Sequence, residues 1–229
     1  MPIRPTSDLK EKGFDTKKGK KTFITKDRGF RFVNRFDIAD LVDWSRFDEW
    51  TKDRPIIYGL CGGMCFAALD WFYENKSLPE VDRPPEDETQ LFKYLVARQL
   101  DSLSFNTLKN VITWMLRDDL DVARWTAEDE IPQLQAALDQ GTPVVLVLIR
   151  VRKGSPTANH QVLAIDYEFD EETNEMEITL YDPNHPGQEP KIFVDLNHPD
   201  QGINLRQSTG EPLRGFFVIE YNQERPPVL

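Results

Sequence analysis

Cysteine is scarce in this chain: only Cys61 and Cys65 occur among 229 residues. On a helix two side chains at this spacing lie one turn apart, which is poor geometry for a disulfide. A scaffold held together by disulfides is therefore excluded by count. Reduced thiols are typical of a cytosolic protein.

Long apolar runs are also absent from the sequence. A membrane-spanning helix needs about 18 consecutive apolar residues, whereas the run from Val144 to Ile149 has only the length of a strand. The first five residues, Met-Pro-Ile-Arg-Pro, lack the apolar core of a signal peptide. We therefore expect a cytoplasmic protein without a membrane span, with export by a route that needs no cleaved signal as the alternative. The sequence does not indicate the oligomeric state.

Basic residues are fewer than acidic residues, 28 against 39, which gives a net charge of −11. Residues 1–36 nevertheless carry a net charge of +7, so the rest of the chain carries −18. An acidic body argues against nucleic acid as the main partner. We interpret residues 1–21 as a basic, flexible N-terminal arm. Residues 22–229 are then a single domain, and 39% hydrophobic residues are enough for its core.

Hydrophobic periodicity divides the domain into two halves. Residues 22–36 alternate apolar and polar side chains and predict a strand. The first half then predicts helices over 61–74, 88–101, 106–117 with Asn106 as N-cap, and 127–140 with Thr126 as N-cap and Gly141 as its stop. The second half predicts strands over 144–151, 161–169, 176–181, 191–196 and 215–221. This order predicts an α+β domain, with a helical first half packed on an antiparallel strand-rich second half.

The segment Leu60-Cys61-Gly62-Gly63-Met64 places a thiol where a glycine-rich turn is predicted to become a helix. A helix N-terminus carries partial positive charge and free N–H groups. A cysteine at this position has a stabilised thiolate and becomes a nucleophile near neutral pH. We expect the glycines to keep the space around the sulfur open.

An imidazole and a carboxylate follow downstream, at His160 and Asp182. A polar turn over residues 170–175 separates the two strands that carry them. If the strands pair about Glu171, His160 lies directly opposite Asp182, with Cβ atoms about 5 Å apart. The carboxylate would then hold the imidazole in one tautomer and leave its other nitrogen for the sulfur. The spacing alone does not place Cys61 beside this pair.

These residues resemble the papain-like cysteine peptidases, especially their bacterial C39-like branch. The matching positions are Cys61-Gly62, His160 followed by the apolar residues 162–165, and Asp182-Pro183. Leu-Cys-Gly-Gly-Met and Tyr-Asp-Pro-Asn are also similar to strings in a group of uncharacterised bacterial proteins with this fold. The resemblance covers about residues 28–221. It implies a papain-like fold, a cysteine hydrolase that acts on a peptide or protein (peptidase, amidase or acyl transferase), a Cys61–His160–Asp182 triad, and no cofactor.

One position departs from the family pattern. Many papain-like enzymes place a glutamine shortly before the nucleophile to donate a hydrogen bond to the oxyanion, but residues 53–60 contain none. The hydroxyl of Tyr58, the side chain of Asn34 and the N–H of Cys61 are candidates to replace it, with Gly62 as a possible support. Loss of one such donor typically costs on the order of 10²–10³ in rate.

Three alternatives stand beside this interpretation. Cys65 is a rival nucleophile, which we interpret as a core residue because it lies one turn farther from the helix end. A zinc site could combine the two cysteines with His160, Asp182, His185 or His198, but no second close pair completes it, and we expect no metal. A catalytically inactive module could keep the fold and use its cleft to bind a peptide or protein partner.

Overall fold

The computed structural model describes residues 16–36, 59–197 and 204–229. Its first part contains strand β1 and the helical elements, which are β1 (Thr16–Lys18), α1 (Thr25–Arg28), α2 (Cys61–Tyr73), α3 (Gln90–Ser102), α4 (Phe105–Leu116), α5 (Asp119–Trp125) and α6 (Ile131–Asp139). Its second part contains the strands β2 (Val144–Ile149), β3 (His160–Asp170), β4 (Glu175–Tyr181), β5 (Lys191–Asp195), β6 (Asn204–Gln207) and β7 (Gly215–Val218). The predicted α+β class and the order of its two halves agree with this arrangement.

The described strands form one antiparallel sheet in the order β6-β5-β4-β3-β2-β7, and β1 adds to the far end of β3. Strand β2 is buried at all its positions because helices cover both faces of the sheet. Val145, Val147 and Ile149 face the larger core with α2, α3 and α4. The alternate residues Val144, Leu146 and Leu148 face a second core with α6. Because both faces of β2 are buried, its sequence is a continuous run of apolar residues.

Helix α2 is the centre of the larger core, and every residue from Gly62 to Trp71 is buried. Its one buried carboxylate, Asp70, is 0% exposed and forms an ion pair with Arg98 of α3, with 2.8 Å between Oδ2 and Nε. Asp70 Oδ1 also accepts hydrogen bonds from the hydroxyl of Tyr221 and the N–H of Glu224. The C-terminal segment is therefore attached to the same helix that begins at Cys61.

Two predicted helix starts are wrong because other residues supply the caps. Ser104, rather than Asn106, is the N-cap of α4, and its side chain accepts a hydrogen bond from the N–H of Thr107. Helical structure is present from Asp119 onward, where Asp118 caps α5. Thr126 therefore lies inside a continuous helical stretch, in a π turn that leads into α6. The predicted stop at Gly141 is supported by its φ of +76°, a left-handed conformation that favours glycine.

The predicted strand over 22–36 is wrong. The segment contains the short helix α1 and otherwise lies in irregular conformations. Its alternation has another cause, because Phe23, Phe30 and Phe32 are buried in the larger core while the residue that follows each of them is exposed. The segment is anchored to β4, where the backbone of Phe30 lies 3.4 Å from the hydroxyl of Tyr181.

Part of the predicted flexible arm belongs to the sheet. Residues 16–18 pair with β3, and the N–H of Gly19 donates to the carbonyl of Tyr167 at 2.9 Å. The basic residue Lys18 forms an ion pair with Glu168 on the acidic body. Residues 1–15 of the arm lie outside the described residues. Among the residues that are described, no helix has the length and apolar character needed to cross a membrane.

Candidate active site

The thiol of Cys61 lies at the first position of α2, where the N-cap is Leu60, whose side chain accepts no hydrogen bond from the first turn. The residue is half-buried. The sulfur accepts a hydrogen bond from the N–H of Gln161 at a distance of 3.4 Å, and the N–H of Gly62 also points toward it. Two backbone donors and the positive end of the helix therefore stabilise negative charge on this sulfur.

The glycines after Cys61 have a different role from the expected one. A Cβ atom on Gly62 would lie 2.1 Å from Ser102 Oγ and 2.2 Å from Gln161 Oε1. A Cβ atom on Gly63 would lie 2.2 Å from the carbonyl oxygen of Leu95. The space beside both glycines is filled by α3 and β3. The glycines permit the close approach of these elements to the start of α2.

His160 and Asp182 are in contact, as predicted, with 2.7 Å between Nε2 and Oδ1. The predicted register is wrong, however. The ladder pairs Asp170 with Glu175 and Leu163 with Tyr181, with a bulge between Ala164 and Asp166. Continued by one step, it places Asp182 opposite Val162, two residues from His160. A shift of two residues keeps both side chains on the same face, so the diagonal pair still meets.

The structure also brings Cys61 to His160, which spacing alone did not predict. Their side chains form a hydrogen bond. Because Asp182 engages Nε2 of the imidazole, Nδ1 is the nitrogen left for the sulfur. Asp182 Oδ1 is held in turn by the N–H of Asn184 at 2.8 Å. The three side chains thus form one continuous chain from sulfur to carboxylate.

The electrostatics of the three groups favour a thiolate and an imidazolium. Burial opposes ionisation of Cys61, but the hydrogen bond and charge of His160 outweigh it and lower the thiol pKa below its usual value. Burial also opposes charge on His160, yet Asp182 and Cys61 raise its pKa to about 9. The pKa of Asp182 is lowered despite burial, mainly by the charge of His160.

Cys65 lies in a different environment. It is 0% exposed, its sulfur lies 3.8 Å from the carbonyl oxygen of Gln161, and burial raises its pKa well above the usual value. Buried, protonated thiols are poor nucleophiles. Among the described residues, the close group of metal-ligating side chains consists of Asp182, His185 and Glu211, and it includes neither cysteine.

Asn34 lies beside the turn that precedes the thiol. Its N–H donates to the carbonyl of Pro183, and its Nδ2 lies 3.0 Å from Asn184 Oδ1. A Cβ atom on Gly59 would be only 2.2 Å from Asn34 Nδ2, so this amide is packed against the backbone two residues before Cys61. Tyr58 and His198, which the sequence also nominated, lie outside the described residues.

Three residues at the site were not nominated from the sequence. The backbone N–H of Gln161 donates to the Cys61 sulfur, and that of Asn184 donates to Asp182 Oδ1. Gln161 directly follows His160 in the sequence, and Asn184 lies two residues after Asp182. Gln99 accepts a hydrogen bond from the N–H of Gly63 at 2.9 Å and caps the first turn of α2. Nothing in the sequence pattern could have found Gln99, because it belongs to a different helix.

Comparison of the chain with protein-family models, curated proteins and solved structures found no match.

Proposed function

We propose that this protein is a cysteine hydrolase with a papain-like arrangement, in which Cys61 is the nucleophile, His160 the general base and acid, and Asp182 the residue that orients His160. The observation that carries the proposal is the continuous hydrogen-bonded chain from Cys61 through His160 to Asp182. Cys61 is the first residue of the buried helix α2, which packs against the antiparallel sheet. A nucleophile, a base and a third group that orients the base are the parts that covalent acyl transfer requires.

The chemistry follows from the charges of the resting site. The Cys61 thiolate attacks an acyl carbon, and a C–S bond forms as the carbonyl π electrons move to oxygen. The tetrahedral intermediate collapses, the C–N bond of an amide breaks, and His160 gives its proton to the leaving amine. Water then attacks the thioester carbonyl while His160 takes its proton, the C–S bond breaks, and the acid is released with regeneration of the thiolate and the imidazolium. An amine in place of water would give acyl transfer with the same residues.

The oxyanion needs donors near the start of α2. The next three N–H groups of the helix are already engaged: that of Gly62 by the sulfur, that of Gly63 by Gln99, and that of Met64 by the carbonyl of Leu60. We therefore assign the N–H of Cys61 as the backbone donor. The side-chain donor is Asn34, whose amide reaches the same turn from a distant segment and takes the place of the glutamine that residues 53–60 lack.

A peptide or protein is the proposed substrate class. The test is digestion of a peptide library, with product detection by mass spectrometry, by the Cys65→Ser protein and by the Cys61→Ser protein. We expect cleavage or aminolysis products from the first protein only. Cys65→Ser is the matched control, since it removes the fully buried thiol and keeps the half-buried thiol of Cys61.

An inactive binding module is the alternative function. It predicts that neither protein turns over any peptide and that both retain the same peptides equally well on a column. Peptide retention without turnover, together with a Cys61 thiol that is slow toward iodoacetamide at neutral pH, would replace the hydrolase proposal with this one.

A further inference from the structure

Behind the triad, the carboxylate of Asp182 has an unused oxygen. Oδ1 accepts hydrogen bonds from His160 and from the N–H of Asn184. Oδ2 is buried and has no hydrogen-bond partner, in a residue that is only 1% exposed. An unpaired buried carboxylate oxygen is costly, because its lost hydration is not replaced. Such an atom in a folded protein calls for a partner.

Ligand atoms of two further residues lie close to the Asp182 carboxylate. His185 lies on the turn that follows Asp182, and its N–H donates to the Asp182 carbonyl at 2.9 Å. Its ring atom Nε2 is buried without a hydrogen-bond partner and lies 3.8 Å from Glu211 Oε2. One ligand atom from each of Asp182, His185 and Glu211 lies within 4.8 Å of the other two. An ion with bonds of about 2.0–2.4 Å can bridge atoms at such separations.

The third ligand is fixed in direction by its neighbours. Glu211 Oε2 accepts a hydrogen bond of 2.6 Å from the hydroxyl of Thr209, and the guanidinium of Arg150 lies 3.2 Å away. Hydrogen-bonded neighbours of this kind orient ligating carboxylates in metal sites. The ligand atoms of the group are two carboxylate oxygens and an imidazole nitrogen, which accept a cation rather than an anion.

From this geometry we propose that Asp182, His185 and Glu211 bind a divalent transition-metal ion, of the class of Zn²⁺ or Mn²⁺, on the side of Asp182 that faces away from His160. One imidazole nitrogen with two carboxylates suits these ions better than Ca²⁺ or Mg²⁺, which prefer all-oxygen ligands. The site itself stands without the proposed function.

Binding is measured by isothermal titration of ZnCl₂ into the chelator-treated Cys61→Ser/Cys65→Ser protein, in which no thiol competes for the ion. We expect one bound equivalent. His185→Gln and Glu211→Gln, each made in this background, should each weaken the affinity at least about tenfold, while Glu172→Gln in the exposed β3–β4 turn should leave it unchanged. Both ligand residues are partly exposed, so circular dichroism should show both variants folded. Failure to bind zinc, or a zinc affinity unchanged from the parent protein in the His185 and Glu211 variants, overturns the proposal.

Discussion

His160 Nε2 lies 2.7 Å from Asp182 Oδ1, although the β3–β4 ladder ends before it reaches either residue. The contact is therefore made by side chains that extend diagonally beyond the paired strands, with the Asn184 N–H holding the carboxylate at 2.8 Å. Such a contact can be removed without unpairing the sheet. The role of each partner is thus open to substitution in a folded protein.

The first prediction concerns the reactivity of the Cys61 thiol. Removal of His160 takes away the group that lowers the thiol pKa, while burial remains. In a Cys65→Ser background, His160→Ala should reduce the rate of iodoacetamide alkylation at pH 6.5 by about tenfold or more, since each unit of pKa is a factor of ten in thiolate. Intact-mass spectrometry over pH 5–10 provides the measurement. Superimposable profiles with and without His160 would show that the pair is not coupled.

The second prediction concerns the titration of His160. Its pKa of about 9 arises from Asp182 and Cys61 against the opposing effect of burial. The imidazole resonances should therefore titrate near pH 9, and Asp182→Asn should lower that midpoint. With only three histidines in the chain, single substitutions suffice to assign the spectrum. A midpoint at or below 6.5 in the unmodified protein would contradict the ion-pair description.

The same shift predicts how stability depends on pH. Folded His160 holds a proton that the unfolded chain releases near pH 6.5, so its contribution is complete below pH 6.5 and is lost as the pH rises toward 9. The thiol contributes with the opposite sign, so Cys61→Ser isolates the histidine. The free energy of unfolding of Cys61→Ser, relative to Cys61→Ser/His160→Gln, should fall as the pH rises above 6.5, over a window that ends below pH 9 because Cys61 no longer raises the pKa of His160. Urea titrations at pH 6 and 9 measure it, and a difference that grows with pH would contradict the assignment.

The third prediction concerns the contact between α2 and α3. A methyl group on Gly63 meets backbone atoms of Leu95 and Gln99 at 2.2 and 2.9 Å, which cannot move independently of the helix. Gly63→Ala should therefore lower the free energy of unfolding by about 1–3 kcal/mol or more. Asn110→Ala, on the exposed side of α4, is a control expected to change it by less than about 0.5 kcal/mol.

Gly62→Ala should behave differently, because it meets the ends of two side chains, those of Ser102 and Gln161. These can move at lower cost, but Gln161 also supplies an N–H to the sulfur. We expect a smaller loss of stability than in Gly63→Ala, together with slower alkylation of Cys61. The reverse ranking of the two variants in urea denaturation would contradict the packing described for this helix.

The fourth prediction concerns Asn34. If its amide donates to the oxyanion, Asn34→Ala should reduce kcat/KM on a peptide identified in the library digestion by about 10²-fold. Alkylation of Cys61 by iodoacetamide, which forms no oxyanion, should change by less than about twofold. A parallel loss of both activities would indicate a structural role for Asn34 in holding the turn at Gly59.

The fifth prediction concerns the buried ion pair of α2. Arg98 is 2% exposed, and Asp70 is its buried counter-charge. Asp70→Ala leaves the guanidinium buried without that partner and should cost about 3–5 kcal/mol. Tyr221→Phe removes one hydrogen bond to the same carboxylate and should cost about 1 kcal/mol. Denaturant titration at pH 7 compares the free energies of unfolding of the two variants. Equal small losses would mean that the Asp70–Arg98 ion pair is not the principal stabilising contact of this carboxylate.

Local patterns in the sequence account for much of the fold. The α2 helix, the strands β2 to β5 and the meeting of His160 with Asp182 all follow from periodicity and turn residues. Errors occurred where a non-local contact decided the structure. Phe23, Phe30 and Phe32 alternate as in a strand, but they are buried because the segment packs on α2 and β4, and alternation alone cannot distinguish the two.

The site shows the same division. Cys61, His160 and Asp182 were nominated from their local motifs, yet their convergence depends on how α2 packs against β3, a long-range relationship that spacing does not encode. Asn184 could be found because it belongs to the same turn as Asp182. Gln99, Glu211 and Arg150 could not be found in this way. Each belongs to a segment distant in the sequence, and the local pattern of that segment does not indicate a contact with the site.

The attachment of Asp70 also has a consequence for the order in which the protein is made. Asp70 leaves the ribosome soon after Cys61, but two of its hydrogen-bond donors, Tyr221 and Glu224, lie 151 and 154 residues farther along the chain. The helix that begins at Cys61 therefore cannot reach its final set of contacts until synthesis has passed residue 224. The nascent chain remains without these contacts while most of the sheet is being made.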